Sequence, residues 1–276
     1  GAGSGSVIPD SKPVTFQNAG TYYWQASYSG DAGNSATTSA CNEIVAVAKN
    51  SPALTTTAGG TVVAGSPLTD AATLSGGASP AGTITFTLSD PNNTVVYTDH
   101  VTVGGNGTYT TSAGDNPGGF SPTSAGTYQW AASYSGDSNN TKATASAETQ
   151  SAVYGFGGFT SPRPKPTLPK KPGSSIPVKF RLGSTAGQPI SPAAAAALAA
   201  ANDVKATLSG PGITTVPALC TWNSVNLFFQ CNIKTPSGLL TGTAYQITAY
   251  ENVTGTFVLA PTVSTATPNP ESVYFK

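Results

Sequence analysis

The passage "AGTYYWQASYSGDAGNSATTSA", beginning at Ala19, returns as "AGTYQWAASYSGDSNNTKATAS" from Ala125, and its tryptophans, Trp24 and Trp130, stand 106 residues apart. That period is too long for one turn of a solenoid and fits a complete β-sandwich plus its linker. Within each copy, large apolar and small or polar residues alternate. Tyr22, Trp24, Ala26 and Tyr28 share one face of a strand, and Tyr128, Trp130, Ala132 and Tyr134 repeat the set. Those faces are the expected core, with Tyr22, Trp24, Tyr128 and Trp130 as its largest members. Ser-Gly-Asp then marks a turn, and a Thr/Ala-rich strand returns.

The strands before the second copy are legible in the same way. "TITFTL" directs Ile84, Phe86 and Leu88 inward, and "TVVYTDHVTV" and "GTYTT" flank an Asn-Gly pair that predicts a hairpin at 104–107. The first copy has no such partners: residues 1–49 carry only its last two strands. Two strands cannot bury their own apolar faces, so we expect another segment, in this chain's array or in a neighbouring copy, to complete them.

Composition agrees with short strands and tight turns. Only 9% of residues are charged, while Gly (31) and Pro (22) are plentiful. This texture does not suit helices. One helix is nonetheless predicted in "SPAAAAALAAAND", with Ser191 as N-cap and Pro192 at the first helical position. The expected fold class is all-β: tandem immunoglobulin-like sandwiches plus a C-terminal β-sandwich-like domain with one short Ala-rich helix. The expected division is an incomplete repeat at 1–49, a complete sandwich at 50–152, a Gly/Pro/Lys-rich linker at 153–175 and a C-terminal domain at 176–276.

Two resemblances follow from these strings. "A-G-T-Y-x-W" looks like the tyrosine corner of immunoglobulin-type domains, with Trp where antibody domains carry Cys. Residues 51–151, through "LTDAATLSGG", "PAGTITFTLSDP", "VVYTDHVTVGGNGTYTT" and "SAGTYQWAASYSGDSNN", resemble the Ig-like repeats of large bacterial surface proteins. "PGSSIPVKFRLG" with a closing "VYFK" looks like the bacterial domain type named for its Pro-x-Lys-Phe motif, matched here by Pro177, Val178, Lys179 and Phe180. The resemblances imply an extracellular structural or adhesive module, with no catalysis and no cofactor. The alternatives are a carbohydrate- or wall-binding accessory module of a larger secreted enzyme, and a phage virion decoration.

Cys220 and Cys231 bracket an interval long enough for two short strands and a turn, so a disulfide is expected and with it an oxidising compartment. Cys41 has no partner in sequence. No apolar run approaches membrane-spanning length, and no signal peptide opens the chain, so it reads as a mature or excised piece. The only histidine, His100, lies in an alternating strand beside Asp99 with no Gly-x-Ser-x-Gly elbow, which argues against a hydrolase. Asp137, Asn139 and Asn140 offer oxygens to calcium, yet the same residues make turns for local reasons.

Charge is unevenly spread. The portion before residue 150 has a net charge of −6 and the portion after it +6, with six basic residues and no acid between 163 and 181. Arg163, Lys165, Lys170 and Lys171 are therefore candidates for contact with an anionic cell-wall polymer or an acidic neighbouring domain. The segment lacks the aromatic interleaving of a nucleic-acid surface. Opposite ends of opposite sign, with an open half-domain at one of them, predict head-to-tail assembly of the chain with itself.

Overall fold

The computed structural model of the chain describes residues 11–161, 171–185, 188–253, 256–260 and 271–274. Half of the first repeat forms β1 (Gly20–Trp24), β2 (Ser27–Tyr28), β3 (Thr37–Thr38) and β4 (Glu43–Val47), paired as two small antiparallel ribbons, β1 with β4 and β2 with β3.

The central unit is an immunoglobulin-like sandwich. One sheet holds β5 (Ala53–Ala58), β7 (Asp70–Ser75) and β10 (Gly107–Thr110), in the order β10-β7-β5. The other holds β6 (Val62–Val63), β8 (Thr83–Ser89), β9 (Val95–Thr102), β11 (Gly126–Tyr134), β12 (Ala143–Thr144) and β13 (Glu148–Val153), in the order β6-β13-β11-β8-β9, with β12 also on β11. Strand β11 alternates as its sequence predicts: Tyr128, Trp130, Ala132 and Tyr134 are buried, and the residues between them are exposed. Ile84, Phe86 and Leu88 of β8 complete the same core.

The first edge of the sandwich crosses from one sheet to the other. β5 pairs antiparallel with β7, and after Gly59–Gly60 the chain joins β13 in parallel as β6. A side chain at Gly59 would meet Gln150 Nε2 and Thr69 Oγ1 at 2.7 Å, so the crossing is tight enough to need glycine.

The expected hairpin at 104–107 is a second crossing instead. β9 pairs with β8, but β10 pairs with β7 in the opposite sheet. Asn106 fixes this course by bonding both the N–H and the carbonyl of Gly77, at 2.9 and 2.8 Å. The local turn signal is real, and a tertiary contact decides which sheet the chain enters.

The C-terminal unit is one eight-stranded sheet curled around a single core. It comprises β14 (Gly155–Ser161), β15 (Ser175–Gly183), β16 (Val204–Ser209), β17 (Val216–Asn223), β18 (Phe228–Lys234), β19 (Ala244–Val253), β20 (Thr256–Leu259) and β21 (Glu271–Tyr274). Helix α1 (Pro192–Ala200) starts as predicted: Ser191 Oγ accepts the Ala194 N–H at 3.2 Å and Pro192 opens the first turn. Asn202 follows it with φ +60°, a left-handed conformation that asparagine tolerates.

The first part of the expected linker at 153–175 is corrected by β14, and residues 162–170 of it lie outside the described residues. The glycines of 155–161 read as a loop, yet this stretch pairs with β15 and buries Phe156 and Phe159 against Phe180. Aromatic anchoring to a neighbouring strand overrides the low strand propensity of glycine.

Candidate functional site

The features that bear on function are the open sheet of the first repeat, the two joints between units, and the disulfide-closed C-terminal domain. In both repeats the tyrosine corner forms. Tyr128 Oη donates to the Ser124 carbonyl at 3.2 Å, and Tyr22 Oη donates to the Asn18 carbonyl at 2.8 Å. Trp130 is 0% exposed; its Nε1–H donates to Gln150 Oε1 at 2.9 Å, and its ring meets Tyr97 edge-on with centroids 5.8 Å apart. Gln150 also accepts the Thr69 N–H and donates to the Gly60 carbonyl, which ties the indole to the strand crossing.

The first copy departs from this pattern. Tyr22 and Trp24 are only half-buried and Tyr28 is 44% exposed, so the expectation that Tyr22 and Trp24 are core residues is corrected. Val45 stands opposite Tyr22, where Gln150 stands opposite Tyr128. Strand continuity is lost at Gln25 and Ala26, although the sequence there nearly repeats that of unbroken β11. The physical difference is the neighbour: β11 lies between β13 and β8, while β1 has β4 alone. Pairing register shifts by one residue between the copies around Cys41, which is exposed and unpaired.

The calcium candidates are turn and joint residues. Asp137 Oδ1 accepts N–H bonds from Asn139, Asn140 and the Asn140 amide. Its Oδ2 accepts from Ala81 N–H and Tyr134 Oη. These donors hold the carboxyl well below the usual range, the Ala81 N–H most of all. Asn140 Oδ1 accepts the Ala78 N–H, and Asn139 Oδ1 the Ala19 N–H. Positive donor ends thus face all three residues' side-chain oxygens, an arrangement that opposes a cation. Asp31 collects the local part of this set in the first copy, without a counterpart of the Ala81 N–H among the described residues: the Tyr28 hydroxyl chiefly, then the Gly33 N–H, lowers it to about 2.

The same turn forms the first joint. Asn139 Nδ2 donates to Asn18 Oδ1, Lys49 Nζ reaches the Asp137 carbonyl, the Asn50 N–H donates to the Asn139 carbonyl, and the Thr141 N–H donates to the Asn50 carbonyl. The corresponding residue of the first copy, Gly33, has no side-chain amide to offer. Asn139→Gly is therefore expected to speed hydrogen exchange at Ala19 roughly tenfold. The central sandwich should lose less than about 1 kcal/mol, as for one exposed amide pair. Exchange mass spectrometry over 18–20 and 126–134 measures both.

The second joint is apolar at Ala64 and Tyr154. Ala64, from the central unit, is buried in the C-terminal core, bonded through its N–H to the Val153 carbonyl and through its carbonyl to the Thr185 N–H. The buried Tyr154 donates its N–H to Glu251 Oε2 at 2.8 Å. Glu251 is 1% exposed, and burial above all pushes its carboxyl up to about 8. The start of the expected Gly/Pro/Lys-rich linker is thus a packed junction.

Cys220 and Cys231 are directly opposed on β17 and β18 and form a buried disulfide. Phe180 is fully buried and stacks on Phe229. Lys179 lies over the Phe228 ring, 4.8 Å from its centroid. Lys171 is exposed, and Arg163, Lys165 and Lys170 lie outside the described residues. His100 pairs on the surface with Asp115 at 3.1 Å, away from Asp99, whose side chain is buried and accepts the Asn116 N–H. Two cavities meet at Pro189–Ile190–Ser191. One, of about 170 Å³, is lined by Arg181 and Trp222; the other, of about 420 Å³, by Ser124, Tyr154 and Gln188.

No sequence signal pointed to Gln150, Asn139 as a joint residue, or Glu251, because each gains its role from a partner at least 20 residues away. Neither a protein-family model nor a curated protein sequence matches the chain. Among solved structures, it is similar to the CARDB domain of the PF1109 protein from Pyrococcus furiosus, determined in complex with di-metal ions. The match has 15% identity and a TM-score of 0.24, and covers 40% of this chain and 95% of that one. No described helix is long and apolar enough to cross a membrane.

Proposed function

We propose that the chain is a non-enzymatic structural or adhesive segment of a bacterial extracellular or surface protein, built to stand in an end-to-end array. The observation that carries this reading is the serial build. Each unit runs directly into the next through a bonded joint, polar at residues 18–19 and 49–50, apolar at Ala64 and Tyr154. The buried disulfide supports an oxidising compartment. The resemblances to bacterial surface Ig-like repeats and to the Pro-x-Lys-Phe domain support the same setting.

Self-assembly is part of the proposal. The portion before residue 150 is acidic and the cluster at 163–181 is basic, so unlike portions of neighbouring copies attract. A contact between unlike ends propagates unless it closes a ring. Lys171 and its basic neighbours in sequence would meet either an acidic portion of the next copy or an anionic wall polymer. Sedimentation velocity across protein concentration, at low and high salt, tests the assembly. Concentration-dependent growth that weakens with salt is expected; a strict monomer at high concentration in low salt would overturn it.

A further inference from the structure

Asn106 is the only asparagine of the chain followed by glycine. An Asn-Gly pair ordinarily serves a tight hairpin, in which both residues take the left-handed conformation. Here neither does, and the chain crosses to the opposite sheet. Packing does not call for glycine at 107 either: a β-carbon added there meets no described atom within 4 Å. What glycine provides is a backbone nitrogen with no side chain beside it, placed for five-membered ring closure on the Asn106 amide carbon. Asn106 is exposed, and Gly77 holds both ends of its amide: Oδ1 accepts the Gly77 N–H at 2.9 Å, and Nδ2 donates to the Gly77 carbonyl at 2.8 Å. The next residue of the same loop carries a second clamp of this form. Asn140 Oδ1 accepts the Ala78 N–H at 2.8 Å, and Asn140 Nδ2 donates to the Ala78 carbonyl at 3.1 Å. Asn140, however, is 1% exposed and is followed by the β-branched Thr141. The two clamps therefore differ in what governs attack on an asparagine amide, namely access to water and the bulk of the following residue.

We infer that Asn106 is a site of spontaneous deamidation, and that its conversion releases the loop at 76–79 from the crossing between the sheets. The Gly107 nitrogen gives its proton to water and attacks Asn106 Cγ. As the new C–N bond forms, the carbonyl electron pair moves onto oxygen, and the Gly77 N–H bonded to Oδ1 faces the developing charge. Collapse of this intermediate breaks the bond to Nδ2, which takes up a proton and leaves as ammonia, and a succinimide ring remains. Water then opens the ring at one carbonyl or the other, giving aspartate or isoaspartate. One water enters, one ammonia departs, and nothing is oxidised or reduced. Either product lacks the Nδ2 donor and sets a carboxylate oxygen against the Gly77 carbonyl, two acceptors with no proton between them. Isoaspartate also lengthens the backbone by one carbon at the start of β10. Of the two clamps on the loop, that of Asn140 is left. The hold on the crossing is thereby tied to the age of the molecule, whatever the array binds.

The test incubates the full chain in mildly alkaline buffer beside the free peptide GGNGTYT, the sequence of residues 104–110. Peptide mapping is expected to show a gain of one mass unit at Asn106, as aspartate and isoaspartate, with Asn140 unchanged. The folded chain should convert at roughly a tenth of the peptide's rate or faster, since Asn106 is exposed. Gly107→Ala, which the open space and ordinary backbone conformation accommodate, should slow conversion roughly tenfold or more. Asn106→Asp, examined fresh, should match the aged parent, with hydrogen exchange across 74–78 and 107–110 faster by roughly tenfold. Slower conversion than that, equal rates in the parent and Gly107→Ala, or conversion of Asn140 ahead of Asn106 would each overturn the site. Conversion that leaves exchange across those residues unchanged would overturn the release.

Discussion

Replacing Trp130 with alanine is expected to destabilise the central sandwich by about 3–5 kcal/mol, the range for large aromatic truncations in a packed core. Three losses combine. The fully buried indole leaves a cavity between the two sheets, the edge-on contact with Tyr97 disappears, and Gln150 Oε1 loses a donor while remaining buried. Trp130→Phe keeps much of the volume and should cost about half as much. Urea unfolding of the full chain, with exchange mass spectrometry over β8 and β11 to assign the transition, measures both. A loss below roughly 1 kcal/mol for the alanine variant would mean the indole is not the core plug its contacts describe.

The second large effect is a pH dependence. Glu251 has a folded-state pKa raised to about 8, mainly by burial and further by the charge of Asp203, against an ordinary value of 4.5. Between those values the folded chain binds more protons at this site than the unfolded chain, so stability falls as pH rises. Its contribution is fully present below about pH 4.5 and is lost as pH climbs through 8. At about 1.4 kcal/mol per unit over the roughly 2.5 units between pH 4.5 and pH 7, the loss by pH 7 is about 3 kcal/mol. Asp70, raised to about 6 by burial first, adds a slope of the same sign in the central sandwich. Glu251→Gln isolates the site, since its amide oxygen can still accept the Tyr154 N–H. The variant should match the parent near pH 4.5 and exceed it by about that margin at pH 7. Parallel stability curves across pH would contradict the assignment.

What the sequence announced and what it concealed divide along a physical line. Strands of period two, such as β8 and β11, declare their buried faces because one side-chain alternation serves one core. The helix declared its start through Ser191 and Pro192, both local devices, and the disulfide followed from spacing and compartment logic. Hidden were the features set by distant partners. The "GFGGFTS" segment is a strand because Phe156 and Phe159 reach Phe180, not because glycine favours extension. The chain after β9 crosses to the other sheet because Asn106 bonds Gly77. The turn acids looked like calcium ligands in sequence, and only the N–H groups converging on Asp137 reveal their role. The same distinction explains the open sheet: its missing neighbour was legible from the repeat, while the resulting break at Gln25 and Ala26 was not.

The unequal joints set where such a protein can be lengthened by gene duplication. A new copy inserted at the first joint must present a loop like residues 137–141 to a pole like Asn18, Ala19, Lys49 and Asn50, a contact made of a few surface hydrogen bonds. A copy inserted at the second joint would pull Ala64 and Tyr154 out of the C-terminal core and leave Glu251 without its donor. The central sandwich and the C-terminal domain are thus a single heritable block, and new repeats enter ahead of it.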